Sequence, residues 1–159
     1  RPGSFLKALL QRVRDARVDV DGETVGAIGH GLLVFVGVEA DDTGSEIPRL
    51  VERMLGMRIF EGAQGDGEPK PMNLSVRDVE GEVLLVSQFT LAADTRRGRR
   101  PGFSTAAAPE IAEPIFRTFV EATREAFGDD RVATGRFGAD MQVALVNDGP
   151  VTFLLESLR

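Results

Sequence analysis

The chain has 159 residues, enough for one domain whose core needs no disulfide or metal support. With 42% hydrophobic and 28% charged residues it is typical of a globular protein, and no apolar run is long enough to span a bilayer. The absence of cysteine excludes a thiol nucleophile, and the net charge of −6 would repel nucleic acid except at a local basic patch. We interpret residues 1–5 as a cloning remnant or an unstructured leader, residues 6–159 as a single domain, and a cytoplasmic location as the default.

The first elements in the chain are predicted to be short strands. Apolar residues that alternate or run continuously predict strands at 9–13, 17–20, 23–28 and 32–38, the last of them buried on both faces. Asp21-Gly22 supplies a two-residue turn between the second and third of these strands. We therefore expect the chain to open with a β-meander.

Two helices are predicted, separated by further strands. Apolar residues at helical spacing predict the first helix at 46–55, with Ser45 as its N-cap. A second apolar stripe predicts a helix that ends at residue 127. It begins at Pro109 or, because Pro114 does not suit a helix interior, nearer residue 113.

The remaining strands are predicted at 83–89, 131–134, 141–146 and 151–155. Residues 61–71 are rich in glycine, proline and charge and predict a mobile surface loop. No βα unit repeats along the chain. This order favours an α+β, mostly antiparallel fold over a doubly wound sheet.

A polar cluster at the end of the strand predicted at 83–89 is the first candidate site. Ser87, Gln88 and Thr90 follow an apolar run, where polar side chains are costly to bury unless hydrogen-bonded. Ser87 and Thr90 could be nucleophiles, but no base is evident, since the only histidine, His30, lies between two glycines of a predicted turn. Backbone N–H groups at the strand end could instead form an oxyanion hole.

A basic loop comes shortly after this cluster and has two interpretations. It could be a solvated loop paired with surplus acidic residues, or it could bind phosphates of a nucleic acid. It contains four arginines within five positions, namely Arg96, Arg97, Arg99 and Arg100.

Metal and cofactor sites are not predicted. The carboxylate pairs at 41–42 and 129–130 lie in predicted turns, and neither a P-loop nor a dinucleotide fingerprint occurs. Gly149-Pro150 separates two apolar strands, and because proline cannot donate to a sheet, it predicts a turn. A trans bond is the default there, whereas a cis bond would aim the Gly149 carbonyl in an unusual direction.

Several motifs together resemble the D-aminoacyl-tRNA deacylase family, over residues 6–155. The SQxT and NxGPxT pair at this spacing is far more specific than either motif alone. The resemblance implies a barrel-like deacylase fold with two main helices, and a homodimer. The matching segments are SQFTLAAD at 87–94, G-x-R-P-x-F-S at 98–104, TGRFGADM at 134–141 and NDGPVT at 147–152.

The resemblance also implies an activity and a partner. Such an enzyme hydrolyses the ester between a D-amino acid and the 3′ end of tRNA, without a cofactor, and glycine mischarged on tRNA-Ala is expected to be accepted too. Its active site lies at the dimer interface, where residues 87–90 of one subunit face Gly149 and Pro150 of the other. The cis-oriented carbonyls of that Gly-Pro pair would leave no space for an L side chain.

Individual roles follow from the resemblance and from the residues. We expect the Phe89 and Thr90 main-chain N–H groups to hold the oxyanion, with Ser87 and Gln88 as local organisers. Thr90 as a nucleophile and assistance by the 2′-hydroxyl of the terminal ribose remain the two alternatives. Met141 and Phe137 are expected to pack around the pocket, and the arginines at 96–100 to bind acceptor-stem phosphates.

One departure from the family pattern is Gly102, which stands where the family usually has serine in Arg-Pro-Ser-Phe. Two other functions stay open. One is a nucleic-acid-binding module without catalysis on the same fold. The other is a relative that acts on a different stereochemistry or on free D-amino acid esters.

Overall fold

The structure is a computed structural model that describes residues 4–62 and 71–158. Two short 3-10 helices lie at Phe89–Ala92 and Asp129–Arg131. The strands and α-helices are, in chain order, β1 (Ser4–Val20), β2 (Glu23–Ile28), β3 (Gly31–Val38), α1 (Ile47–Gly56), β4 (Phe60–Glu61), β5 (Met72–Leu74), β6 (Glu82–Ser87), α2 (Pro109–Phe127), β7 (Val132–Thr134) and β8 (Gln142–Leu158).

The predicted fold class is confirmed. One sheet contains six strands, in which β1 pairs with β2, β3 and β8, β3 pairs with β6, and β6 pairs with β7, and a two-stranded sheet pairs β4 with β5. The pairings made by β1 and the β4–β5 pair are antiparallel, whereas β3–β6 and β6–β7 are parallel. The fold is therefore α+β, mostly antiparallel, with a nearly closed, barrel-like sheet.

The predicted opening meander is wrong, because β2 and β3 both pair with the same edge of β1. Ala16 pairs with Ile28 and Val13 pairs with Gly31, so one register continues across the interruption between β2 and β3. Asp21 and Gly22 both have positive φ (51° and 81°), as a tight hairpin turn requires, and this turn sets the register for both strands. The two strands predicted at 9–13 and 17–20 are parts of one 17-residue strand.

The predicted turn at Gly149-Pro150 is also wrong, because the chain does not reverse there. The strands predicted at 141–146 and 151–155 form one strand, β8, which runs antiparallel along β1. Gln11 pairs with Thr152 and Val13 with Asn147, so five steps along β8 lie opposite two steps along β1. The extra residues form a bulge at 148–151, which lets Pro150 remain in a strand without donating to the ladder.

The sheet has a hydrophobic cluster on each face. The larger cluster packs α1 and α2 against residues such as Leu10, Val34 and Leu85. The smaller one joins the second half of β1 to β2, β3 and β6. Strands β2 and β7 can approach closely because residue 26 is glycine, since a Cβ there would lie 2.2 Å from the Thr134 carbonyl oxygen.

The helices begin and end close to their predicted bounds. Glu46 precedes α1 and no side chain caps its first turn, so Ser45 is not the N-cap. Helix α2 begins at Pro109 and contains Pro114, which decides between the two predicted starts. Strand β1 begins at Ser4, two residues before the predicted domain boundary, while residues 1–3 and most of the predicted 61–71 loop lie outside the described residues.

Candidate active site

The polar cluster lies where β6 ends, two residues earlier than the predicted strand end. Ser87 pairs with Val36 of β3, and the Gln88 N–H donates to the Val36 carbonyl at 2.8 Å. The chain then turns into a 3-10 helix, in which Leu91 N–H donates to the Gln88 carbonyl at 3.1 Å. The half-buried Ser87 and Gln88 thus lead to the exposed Phe89 and Thr90.

The N–H groups of Phe89 and Thr90, called here the donor pair, are the first two of the 3-10 helix. Within residues 4–62 and 71–158, no group accepts a hydrogen bond from either of them. The first N–H groups of any helix lack a partner inside it, and here two consecutive ones also lack a partner outside it among the described residues. Two such donors can bind one oxygen that carries negative charge.

The side chains of the cluster offer no base. Gln88 Nε2 donates a hydrogen bond to Thr90 Oγ1, so an amide, which has no basicity, is the group that contacts this hydroxyl. In the described part of the chain no imidazole or carboxylate hydrogen-bonds to Thr90. The geometry therefore favours backbone donors over an activated threonine.

The arginine loop, residues 96–100, is closed at its base. Asp94 and Gly102 exchange two backbone hydrogen bonds of 2.8 Å each. The Asp94 carboxylate also accepts from Arg96 Nε and Nη2, both at 2.9 Å, and these bonds hold the pKa of Asp94 well below its usual range. Among the described residues, Arg97, Arg99 and Arg100 make no ion pair, and all three are exposed.

The 148–151 bulge carries Gly149-Pro150, joined by a cis peptide bond. Asn147 spans the base of the bulge. Its Oδ1 accepts from the Val151 N–H at 3.0 Å, and its Nδ2 donates to Thr152 Oγ1 at 3.1 Å. Asn147, on the N-terminal side of the bulge, is therefore bonded to two consecutive residues on its C-terminal side.

Arg12, on the neighbouring strand β1, anchors the bulge. Its side chain is 7% exposed, and its Nε donates to the Asp148 carbonyl at 3.0 Å while Nη1 donates to the Ile59 carbonyl at 2.8 Å. Arg12 also lies 3.7 Å from the Glu61 carboxylate. Because Arg12 bonds to the backbone of the bulge itself, it is a positioning residue for Gly149.

Arg12 was not predicted as a site residue, although the sequence holds a signal for it. Leu6, Ala8 and Leu10 alternate as the buried side of β1, and Arg12 continues the same phase. A charged residue at a buried position of a strand must have partners, since an unpaired buried charge is very costly. The alternation of buried positions, however, does not reveal which backbone groups the arginine binds.

A cavity of about 550 Å³ lies beside the bulge. Its lining includes Arg12, Arg14, Asp148 and the predicted turn residue His30, whose ring meets Phe60 edge-on at 5.2 Å. Ser87 and Thr90 do not line it. His30 is thus associated with the bulge and not with the polar cluster.

The two motifs are far apart within one chain. Ser87 lies level with Val36 and Ala8, whereas the bulge lies level with Arg12, four residues along β1. Strand rise of about 3.3 Å per residue makes this about 13 Å along the curved sheet surface, and three strand spacings of about 4.8 Å add a path of about 14 Å across it. The cavity beside the bulge, which Gly149 lines, is accordingly not lined by any of residues 87–90.

The other two predicted pocket residues lie apart as well. Phe137 packs against the helix-side cluster, with its ring 6.1 Å from that of Phe116. Met141 packs against the smaller cluster, near Gly135. The turn between them thus directs one side chain to each core.

Groups of acidic residues or histidine that could hold a metal ion do not occur in residues 4–62 and 71–158. In that same part of the chain, neither α-helix is long and apolar enough to cross a membrane.

These features define a class of protein: a small α+β domain with a nearly closed sheet, backbone donors at the end of a central strand and an anchored Gly-Pro bulge. A family model described as D-Tyr-tRNA(Tyr) deacylase matches residues 9–156. The chain belongs to this family.

Individual relatives agree with that assignment. The chain is 59% identical over 152 residues to a D-aminoacyl-tRNA deacylase of Pseudomonas aeruginosa and 55% identical to one of Pseudomonas fluorescens, covering 96% of this chain and 100% of each relative. A solved structure of a c-Myc DNA unwinding element binding protein aligns with a TM-score of 0.88 at 41% identity, over 96% of this chain and 99% of that one. A probable eukaryotic D-amino acid tRNA deacylase shares the fold, with a TM-score of 0.82 at 19% identity and the same coverage.

The anchoring role of Arg12 predicts a large loss of stability on its removal. Arg12→Ala would leave the Asp148 and Ile59 carbonyls without their donor, and we expect the free energy of unfolding in urea to fall by about 2–4 kcal/mol. Arg14→Ala is the matched control, because Arg14 pairs with the same Asp148 at 3.7 Å but has a side chain that is 73% exposed. It should change stability by less than about 1 kcal/mol. Equal losses of stability in the two variants would contradict the anchoring role of Arg12.

Proposed function

We propose that this protein is a D-aminoacyl-tRNA deacylase, a hydrolase that releases a D-amino acid from the 3′ end of tRNA. Membership of the deacylase family over residues 9–156 is the observation that carries the proposal. The unpartnered donor pair at the end of β6 supplies a chemical means for it. Aminoacylated tRNA is a cytoplasmic substrate, so we propose that the protein, acting as one domain, works there.

The donor pair acts on the ester carbonyl. Water adds to the carbonyl carbon, and the negative charge that develops on the carbonyl oxygen is held by the Phe89 and Thr90 N–H groups. The ester C–O bond then breaks, giving the amino acid carboxylate and a free ribose hydroxyl on the tRNA. Because the side chains offer no base, the neighbouring 2′-hydroxyl of the terminal ribose is the group placed to assist proton transfer.

Selection against L substrates requires a second chain. We assign it to the Gly149-Pro150 bulge of a partner subunit, whose carbonyls would occupy the space of an L side chain but admit a D side chain or glycine, including glycine mischarged on tRNA-Ala. The separation of the two motifs within one chain supports this assignment. So does β8, which pairs with β1 alone among the described strands and exposes Val146, Phe153 and Leu154.

The remaining predicted residues have supporting roles. Gln88 orients Thr90 through its hydrogen bond, and Ser87 ends the strand that presents the donor pair. Arg97, Arg99 and Arg100 would bind acceptor-stem phosphates, while Arg96 is held by Asp94 and braces their loop. Phe137 and Met141 support the turn that follows β7, one from each core cluster.

A second candidate function is nucleic-acid binding without catalysis. The 41%-identical solved relative is named for binding a DNA unwinding element, and the arginine loop gives a locally basic surface on a chain whose net charge is −6. The fold would serve both functions, so only turnover separates them.

The proposed function predicts chirally selective hydrolysis. Purified protein should deacylate D-tyrosyl-tRNA and leave L-tyrosyl-tRNA intact, measured as loss of labelled amino acid from tRNA in matched reactions. Equal hydrolysis of both enantiomers would contradict the selection, and no hydrolysis of either would contradict the activity. Tight binding of uncharged RNA or DNA without turnover, lost when residues 96–100 lose their arginines, would favour the second candidate.

Backbone catalysis predicts opposite effects for two changes at one position. Thr90→Ala keeps the N–H and should keep single-turnover deacylation within about tenfold of the original rate. Thr90→Pro removes the N–H at the second residue of the 3-10 helix, where no hydrogen bond within the helix is lost, and it should lower the rate by about 10²–10³, the usual effect of losing one oxyanion donor. A nucleophilic Thr90 would instead make Thr90→Ala lose about 10⁴-fold or more.

A further inference from the structure

The 3-10 helix that carries the donor pair lies directly on the backbone of β3 at Gly37. A Cβ at residue 37 would lie 3.0 Å from the Leu91 Cβ, 3.2 Å from the Gln88 carbonyl oxygen and 3.4 Å from the Ala92 nitrogen. Non-bonded heavy atoms are most stable about 3.5–4.0 Å apart, so a methyl group there would push the helix off the strand by a few tenths of an ångström. The helix therefore takes its position because residue 37 is glycine.

The contact with the Gln88 carbonyl determines the direction of the Phe89 N–H. Both groups belong to one peptide unit, which is planar, and in a trans peptide the C=O and the N–H point in opposite directions. The Gln88 oxygen is held between Gly37 and the Leu91 N–H, which donates to it at 3.1 Å. Fixing this carbonyl fixes the N–H at the other edge of the same plane.

The other end of the helix is held by Thr105. Its Oγ1 donates a hydrogen bond of 2.6 Å to the carbonyl of Ala92, the last residue of the helix. A 3-10 helix has poor hydrogen-bond geometry of its own, and a cavity of about 690 Å³, lined in part by Ala92 and Ala93, lies beside this end. The Thr105 hydroxyl therefore supplies support on a side where packing supplies little.

Both supports are attached to the same strand. Gly37 belongs to β3. The segment that carries Thr105 is bonded to the end of β3, because the Ala40 N–H donates to the Thr105 carbonyl and the Ala107 N–H donates to the Val38 carbonyl, both at 2.9 Å. The two ends of the helix are thus held relative to one rigid element.

We propose that Gly37 and Thr105 are positioning residues for the donor pair, Gly37 from the strand side and Thr105 from the helix end. Both act through the helix and not on the substrate. The inference rests on the proposed function and adds to it the residues that set the geometry of the two donors. A misplacement of about 1 Å can lower a rate about 10²-fold, so a shift of a few tenths of an ångström should lower it about tenfold.

Gly37→Ala tests the support from the strand. Gly56→Ala is the matched control, because a Cβ at residue 56 meets nothing within 4 Å. On D-tyrosyl-tRNA we expect Gly37→Ala to lower kcat about tenfold and to leave KM within about twofold, since misplaced donors lose contact with the transition state and not with the bound ester. Gly56→Ala should leave both constants unchanged. A raised KM with unchanged kcat, or equal effects of the two changes, would overturn the role of Gly37.

Thr105→Val tests the support at the helix end and remains informative if Gly37→Ala does not fold. Valine keeps the branched shape and removes the hydroxyl, whereas Thr105→Ser keeps the hydroxyl and is the matched control. We expect Thr105→Val to lower kcat by roughly 3- to 10-fold at an unchanged KM, and Thr105→Ser to keep the original rate within about twofold. Equal kcat in the two variants would overturn the role of Thr105.

An amide spectrum makes the test independent of turnover. In protein labelled with ¹⁵N-phenylalanine, the Phe89 N–H resonance should move in Gly37→Ala and Thr105→Val and stay in place in Gly56→Ala and Thr105→Ser. The resonance reports the donor whether or not D-tyrosyl-tRNA is hydrolysed, so failure of the proposed function is distinguishable from failure of the positioning. A Phe89 resonance that stays in place in both Gly37→Ala and Thr105→Val would overturn the proposal.

Discussion

The pairing of β8 along β1 positions both the bulge and its anchor. Both halves of β8 pair with β1, yet Asn147 and Thr152 lie opposite positions only two residues apart. The surplus backbone must leave the sheet, and it does so at 148–151. Arg12, on the buried side of β1, then bonds to the Asp148 carbonyl and fixes the direction in which the surplus projects. An anchored bulge is a rigid element, and rigidity is what steric selection by backbone atoms requires.

The other half of the proposed site depends on a parallel pairing. Strand β6 follows β3 as far as Ser87, and the Gln88 N–H makes the last bond to β3. Beyond it the chain turns at once, so that two consecutive N–H groups are left without acceptors among the described residues. The two halves lie on opposite sides of β1, so the described part of one chain leaves the proposed site incomplete.

The sequence predicted those features that depend on neighbours along the chain. Helical spacing located α1, the Asp21-Gly22 turn predicted the first hairpin, and the apolar run at 32–38 predicted a doubly buried strand. It failed where the decisive partner is remote. Gly149-Pro150 resembles a turn locally, but β1 pairs with both of its flanks. The alternation of buried residues along β1 predicts that Arg12 is buried, yet its acceptors are Ile59, 47 residues away, and Asp148, 136 residues away.

Mixing subunits would show whether the bulge of one chain selects the substrate held by another. Asn147→Ala removes both hydrogen bonds at the base of the bulge and should permit hydrolysis of L-tyrosyl-tRNA. Thr90→Pro subunits lack a donor but keep an intact bulge. When Asn147→Ala protein is exchanged with excess Thr90→Pro protein, L hydrolysis should disappear while D hydrolysis persists, because each working donor pair now faces an intact bulge. L hydrolysis that persists at the same ratio to D hydrolysis after exchange would contradict it.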